Sequence, residues 1–123
     1  TSNTSRFSRS GYSNNDFDNE SLMLTGDLNV ADVEWVVQFQ ISDPYNFLFK
    51  TSSPLVNIRD VSESIMRRVV GDRTVTEVLT TGRKEISSEA RVLVQEVLDK
   101  YEMGVNVVTV KLQDVNPPDT VKP

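Results

Sequence analysis

The chain contains neither cysteine nor histidine. Without thiols or imidazoles there is no thiolate or imidazole zinc site, no iron–sulfur ligation, no Ser-His-Asp or Cys-His nucleophile pair, and no commonest general base. Most enzyme classes are thereby disfavoured. Redox compartment stays open, since a chain without thiols suits either. Lys and Arg are missing from the whole stretch between Glu20 and Phe49, where Glu20, Asp27, Asp32, Glu34 and Asp43 supply five negative charges. Elsewhere 13 positive and 13 negative charges cancel, so the net charge of -5 belongs to that one stretch. Phosphate neutralisation needs a basic stripe, and its absence disfavours nucleic acid as a partner. Nor is there an apolar run near the roughly 18–20 residues that span a bilayer, or a secretory h-region.

What is present fits one small globular domain: 123 residues, 37% hydrophobic and 25% charged. Folding at this size hides about two-thirds of the unfolded chain's surface, enough for a core without disulfides or a structural metal. With Thr1 first and Pro123 last, the chain reads as a fragment of a longer protein, and as a soluble one.

Residues 1–19 are rich in Ser, Thr and Asn, with Phe7, Tyr12 and Phe17 scattered and no apolar period, and read as a flexible arm or loop. Asp16, Asp18 and Glu20 alternate as the acids of a calcium loop do, but Ser21 stands where that loop needs its turn glycine. A solvated acidic loop is the preferred reading. Ser21 to Thr25, Gly26-Asp27 and Asn29 to Ser42 predict a hairpin. In its second arm Val33, Trp35, Val37, Phe39 and Ile41 share one parity, and Asp32, Glu34, Gln38, Gln40 and Ser42 the other; only Val36 breaks the pattern. Period-two alternation predicts an antiparallel sheet with one buried and one wet face, and places Trp35 in the core.

Asp43-Pro44 stops the strand and starts a short helix, with Asp43 as N-cap and the aromatics of Tyr45 to Phe49 tucked against the sheet edge. Ser53-Pro54 repeats the start signal. Leu55, Ile58, Val61, Ile65, Met66, Val69 and Val70 follow at helical spacing until Gly71. Thr74 and Glu77 form a capping box that opens a short helix ending near Gly82. From Arg83 a longer helix carries Ile86, Ala90, Leu93, Val97 and Tyr101 on one stripe, widened by Val94 and Leu98. Gly104 closes it, and Val105 to Val115 is a β-branched strand ended by Pro117-Pro118. The order β-β-α-α-α-β predicts an α+β two-layer sandwich: a small antiparallel sheet, hairpin plus C-terminal strand, covered on one face by consecutive helices.

Two segments offer residues that could carry chemistry. Lys84 with Ser87 and Ser88 is a Ser-Lys hydrolase candidate only if the lysine is desolvated, and it sits in a predicted solvated helix start. Gly71-Asp72-Arg73-Thr74 lacks the glycines and lysine of a phosphate loop; a helix C-cap and the capping box account for it. Neither carries a catalytic, metal or cofactor assignment. Arg67-Arg68, with Asp60 and Glu63 upstream, reads most simply as a set of i,i+4 ion pairs. The sharper reading makes Asp32, Glu34, Arg67 and Arg68 interface residues, an acidic strand face meeting a basic helix face of an adjacent subunit.

Ser21 to Asp27, Asp43 to Phe49, Leu79 to Arg83 and Leu112 to Pro118 together resemble successive landmarks of the SPFH (band 7) domain, most closely in its HflK group. The resemblance covers the chain from about Asn19 to its end and implies an SPFH domain at 20–118, with 119–123 leading to a helical region. It also implies a non-catalytic, membrane-anchored scaffold without cofactors. Such a scaffold oligomerises with itself and an HflC-like paralogue, and restrains the membrane ATP-dependent protease FtsH on the periplasmic side of the bacterial inner membrane. A stomatin- or prohibitin-like membrane organiser is the alternative within the family, and a Ser-dependent hydrolase the alternative outside it. Residues 1–19 depart from the strands that open the domain, which implies an incomplete sheet or a differently covered edge.

Overall fold

A computed structural model describes residues 15–117. The alternation in Val30–Ile41 forms β2, the middle of a three-stranded antiparallel sheet ordered β1-β2-β3, with β1 at Asn15–Leu24 and β3 at Val105–Asn116. Between β2 and β3 run α1 (Pro44–Phe49), α2 (Pro54–Gly71), α3 (Val75–Leu79) and α4 (Arg83–Lys100). The α+β two-layer reading holds. Ala31, Val33, Trp35, Val37 and Phe39 are buried under the helices, and Trp35 is 0% exposed. Burying each of the Val and Phe side chains among them stabilises the fold by about 1.5–3 kcal/mol.

From above, α2 contributes Ile58, Ile65, Met66, Val69 and Val70 to the core, and α4 contributes Ile86, Ala90, Val94 and Leu98. The α4 stripe thus centres on the row from Ile86 to Leu98, while Leu93 and Val97 flank it half-buried. Tyr101 does not belong to it: it lies past the last helical turn and is 64% exposed. Leu55 likewise stays largely outside, at the first turn of α2. In α1 only Phe47 tucks in, against Phe39; Tyr45 and Phe49 pack on each other and face solvent, because one helical turn turns only part of its circumference to the sheet.

Local signals set the element boundaries. Asp43 caps α1 by accepting from the Asn46 N–H, and Thr74 and Glu77 cap α3 reciprocally. Gly104 is required: its φ is +74°, and an added Cβ would run into the Asp43 carbonyl and the Phe47 amide. Its own carbonyl accepts from the Ser42 and Asp43 N–H groups, tying the start of β3 to the end of β2.

One expectation is corrected. The strand begins at Asn15, so Asn15 to Asn19 are sheet rather than part of a flexible arm; residues 1–14 lie outside the described residues. Asp16, Asp18 and Glu20 consequently sit on an extended strand rather than in a loop.

Candidate functional site

The helices cover one face of the sheet, and among the described residues no element covers the other. Register places the side chains of Asp16, Asp18 and Glu20 from β1, Asp32 and Glu34 from β2, and Asp114 from β3 on that open face. Glu20 is directly opposite Glu34, and Glu34 directly opposite Asp114, so one row across all three strands is wholly acidic. Lys111, opposite Val36, is the single cation that the strands supply. Like charges directly opposite one another destabilise a sheet by up to about 1 kcal/mol. The Glu20 carboxyl is raised from its ordinary value, first by hydrogen bonding to and repulsion from the diagonally placed Asp32, then by desolvation, and least by the directly opposite Glu34. The carboxylates are spread along the surface, and among the described residues no three acids converge on a position that could hold a metal ion.

The predicted interface residues fall in two places. Asp32 and Glu34 lie on the open face. Arg67 and Arg68 lie on α2, in the layer beyond the sheet, and the two arginines differ. Arg67 donates to Glu63 Oε2 at 2.7 Å, to Ser21 Oγ at 2.9 Å and to the Leu22 carbonyl at 3.1 Å, so it staples α2 to the margin of β1. Glu63 is held below its ordinary range by Arg67 and then by the Ser21 hydroxyl. Arg68 is exposed.

At the opposite margin of the sheet, three side chains of α4 reach the backbone of β3. Arg83 donates to the Leu112 and Gln113 carbonyls at 2.9 and 2.7 Å, and Ser87 Oγ accepts from the Leu112 N–H at 3.2 Å. The Gln95 amide donates to the Val105 carbonyl at 3.1 Å and accepts from the Val107 N–H at 2.6 Å. Ser87 therefore serves the strand, while Lys84 and Ser88 are exposed. The sequence predicts a solvated helix start here, and no local pattern announces a partner 25 residues or more away.

The hairpin turn is anchored to the helix layer. Asp27 Oδ1 accepts from Thr25 Oγ1 at 2.6 Å and from the Val75 N–H at 3.0 Å, which holds its carboxyl below the ordinary range, the Thr25 bond first. A groove of about 420 Å³ between α2 and the C-terminal end of α4 is lined by Asn57, Asp60, Val61, Leu98, Tyr101 and Met103 among others. Lys50 and Thr51 also line it; Thr51 Oγ1 accepts from Asn57 Nδ2 at 2.7 Å, and Lys50 is paired with Glu102 at 2.7 Å.

Among the described residues no helix is long and apolar enough to cross a membrane. Residues 8–123 match the SPFH domain / Band 7 family. Protein HflK of Treponema pallidum is 39% identical over 97% of the chain and 37% of its own length. Protein HflK of Borreliella burgdorferi is 38% identical over 85% of the chain and 34% of its own. The protein named Modulator of FtsH protease HflK, from Escherichia coli strain K12, is 36% identical over 82% of the chain and 24% of its own. The chain thus spans between about a quarter and two-fifths of the length of these relatives. With a family match that runs through nearly all of its residues, the chain belongs to the SPFH domain / Band 7 family.

Proposed function

We propose that this SPFH domain is the non-catalytic assembly module of an HflK-like, membrane-anchored regulator. The regulator oligomerises with itself and an HflC-like paralogue and restrains the membrane protease FtsH. The observation that carries the reading is the likeness to HflK proteins over 82% or more of the chain, one of them named for modulating FtsH. Two structural features support it. Among the described residues one face of the sheet is uncovered and carries an acidic row, which suits contact with a basic surface better than it suits an isolated monomer. Lys84, Ser87 and Ser88 stand where hydration or the β3 backbone occupies them, which weighs against a Ser-dependent hydrolase.

In this reading Asp32 and Glu34 meet a basic helix face of the adjacent subunit, with Arg68 contributing and Arg67 held within its own chain. The domain sits on the periplasmic side of the bacterial inner membrane, and residues 119–123 lead toward a long helical region. Affinity purification of the full-length protein from detergent extract tests it. Co-purification of a membrane AAA protease, whose substrate turnover rises when the regulator is deleted, is expected. Recovery of a channel or a lipid-domain client in its place overturns it, as does stoichiometric labelling of one serine by a serine-directed probe.

A further inference from the structure

The two margins of the sheet differ. On the β3 side, Arg83, Ser87 and Gln95 occupy the backbone groups of Val105, Val107, Leu112 and Gln113. On the β1 side, β1 pairs with β2 and with no other strand among the described residues. The Leu22 carbonyl points away from β2, since it accepts from Arg67 of α2. N–H and C=O groups of alternate residues share one side of a strand, so the backbone groups of Asp16, Asp18 and Glu20 point outward with that of Leu22. The same three residues carry the carboxylates on the open face. Among the described residues, a ladder position that no other strand fills and a run of negative charge therefore coincide residue for residue.

We infer that the outer margin of β1 accepts one additional strand from a non-identical chain, an extended segment with Lys or Arg at every second position, and rejects a second copy of itself. Antiparallel pairing of β1 with β1 about Asp18 sets Asp18 against Asp18 and Asp16 against Glu20, and shifting the register by two residues still sets acid against acid. Pairing with another copy's β3 is obstructed by the α4 side chains that already hold its margin. A basic strand reverses both objections. Its cations fall opposite Asp16, Asp18 and Glu20 and extend the acidic row of Glu20, Glu34 and Asp114 by one neutralising position. Backbone bonds supply affinity in strand addition, and the alternating side chains supply choice of partner. Edge strands left unprotected invite indiscriminate pairing; one-signed charge along the strand filters it.

The test uses the 123-residue chain and three synthetic heptapeptides. One alternates Lys and Thr, with Lys at both ends; the second is the same peptide N-methylated at the backbone nitrogen of each Lys, which keeps the charge and deletes the ladder donors; the third replaces Lys by Glu. The first is expected to shift the amide resonances of Asp16, Asp18 and Glu20 and slow their hydrogen exchange. The N-methylated twin is expected to bind at least about tenfold more weakly, as several hydrogen bonds are removed at once. The Glu peptide is expected not to bind. Asp18→Pro, tolerated on an edge strand whose N–H faces outward, should weaken the first peptide's binding more than Asp18→Asn does, because it deletes a ladder donor as well as the charge. Unchanged Trp35 emission checks the fold of both variants. Equal binding by the N-methylated peptide, equal binding by the Glu peptide, or no perturbation at Asp16 to Glu20 overturns the inference.

Discussion

Trp35 Nε1 donates to Ser62 Oγ at 3.4 Å across the boundary between sheet and helix layer, with both residues buried. The same hydroxyl donates to the Arg59 carbonyl at 2.9 Å and accepts from Asn19 Nδ2 at 3.5 Å. One serine thus satisfies the indole and ties both strands of the hairpin to α2.

Ser62→Ala leaves the indole N–H buried without its acceptor and should destabilise the chain by about 1–3 kcal/mol. Trp35 is the single tryptophan, so urea unfolding followed by its emission measures this directly. A change below about 0.5 kcal/mol would show that the hydroxyl is dispensable.

Gly104→Ala should be far more damaging than Gly71→Ala. The first meets a left-handed φ, about 1–2 kcal/mol in itself, and a backbone collision with Asp43 and Phe47. The second places a Cβ 3.8 Å from the Leu24 carbonyl, an ordinary contact, at the end of α2. Alanine there should be neutral or stabilising by up to about 1 kcal/mol. Thermal melts of both variants in one buffer give the comparison, and similar losses at the two positions would contradict it.

Acid titration should give a rise followed by a fall in stability. Glu20 has its carboxyl pKa raised on folding, so its favourable contribution is present below the unfolded value and is lost as pH rises through the folded one. Asp27, Glu63 and Glu102 have theirs lowered, by Thr25, Arg67 and Lys50 respectively; their contributions are present above the unfolded value and disappear as pH falls through the folded one. Stability is therefore expected to increase as pH drops through the raised Glu20 value, then to decline as pH falls through the lowered values of Asp27, Glu63 and Glu102. Glu20→Gln should raise the melting temperature at pH 7 and flatten the rising part. A variant that melts lower than the parent at pH 7 would reverse the sign assigned to Glu20.

Charge reversal at Asp32 and Glu34, both to Lys, should weaken co-assembly of the full-length protein and shrink its particles in light scattering. The reversed Glu34 lies between Glu20 and Asp114, so the domain itself should melt no lower than the parent. Particle size that stays constant in the doubly reversed protein would remove the acidic face from the assembly contact.

Much of this architecture is legible in the residues. The β2 alternation, the Asp43 and Thr74 caps and the two long apolar stripes are local patterns, and local patterns survive into the structure. What was hidden depends on long-range company. Asn15 to Asn19 escaped as strand because only Phe17 marks the apolar parity there. Asn19 and Ser21 take inward positions that a strand normally fills with apolar groups, and are satisfied there by Ser62 and Glu63. The Glu63–Arg67 pair is visible at i,i+4, but the bond from Arg67 to Leu22 spans 45 positions. The acidic row needed three strands in register, and the role of Gln95 needed a helix laid beside β3.

Gln95 stands in for one residue of a missing neighbour: its amide satisfies a carbonyl and an N–H of β3 as a paired backbone would. With that flank already closed, the molecule behaves as a terminator rather than a monomer unit for ribbon growth. A continuous β-ribbon therefore cannot run through one copy into the next by way of β3, and contacts on that flank fall to side-chain surfaces.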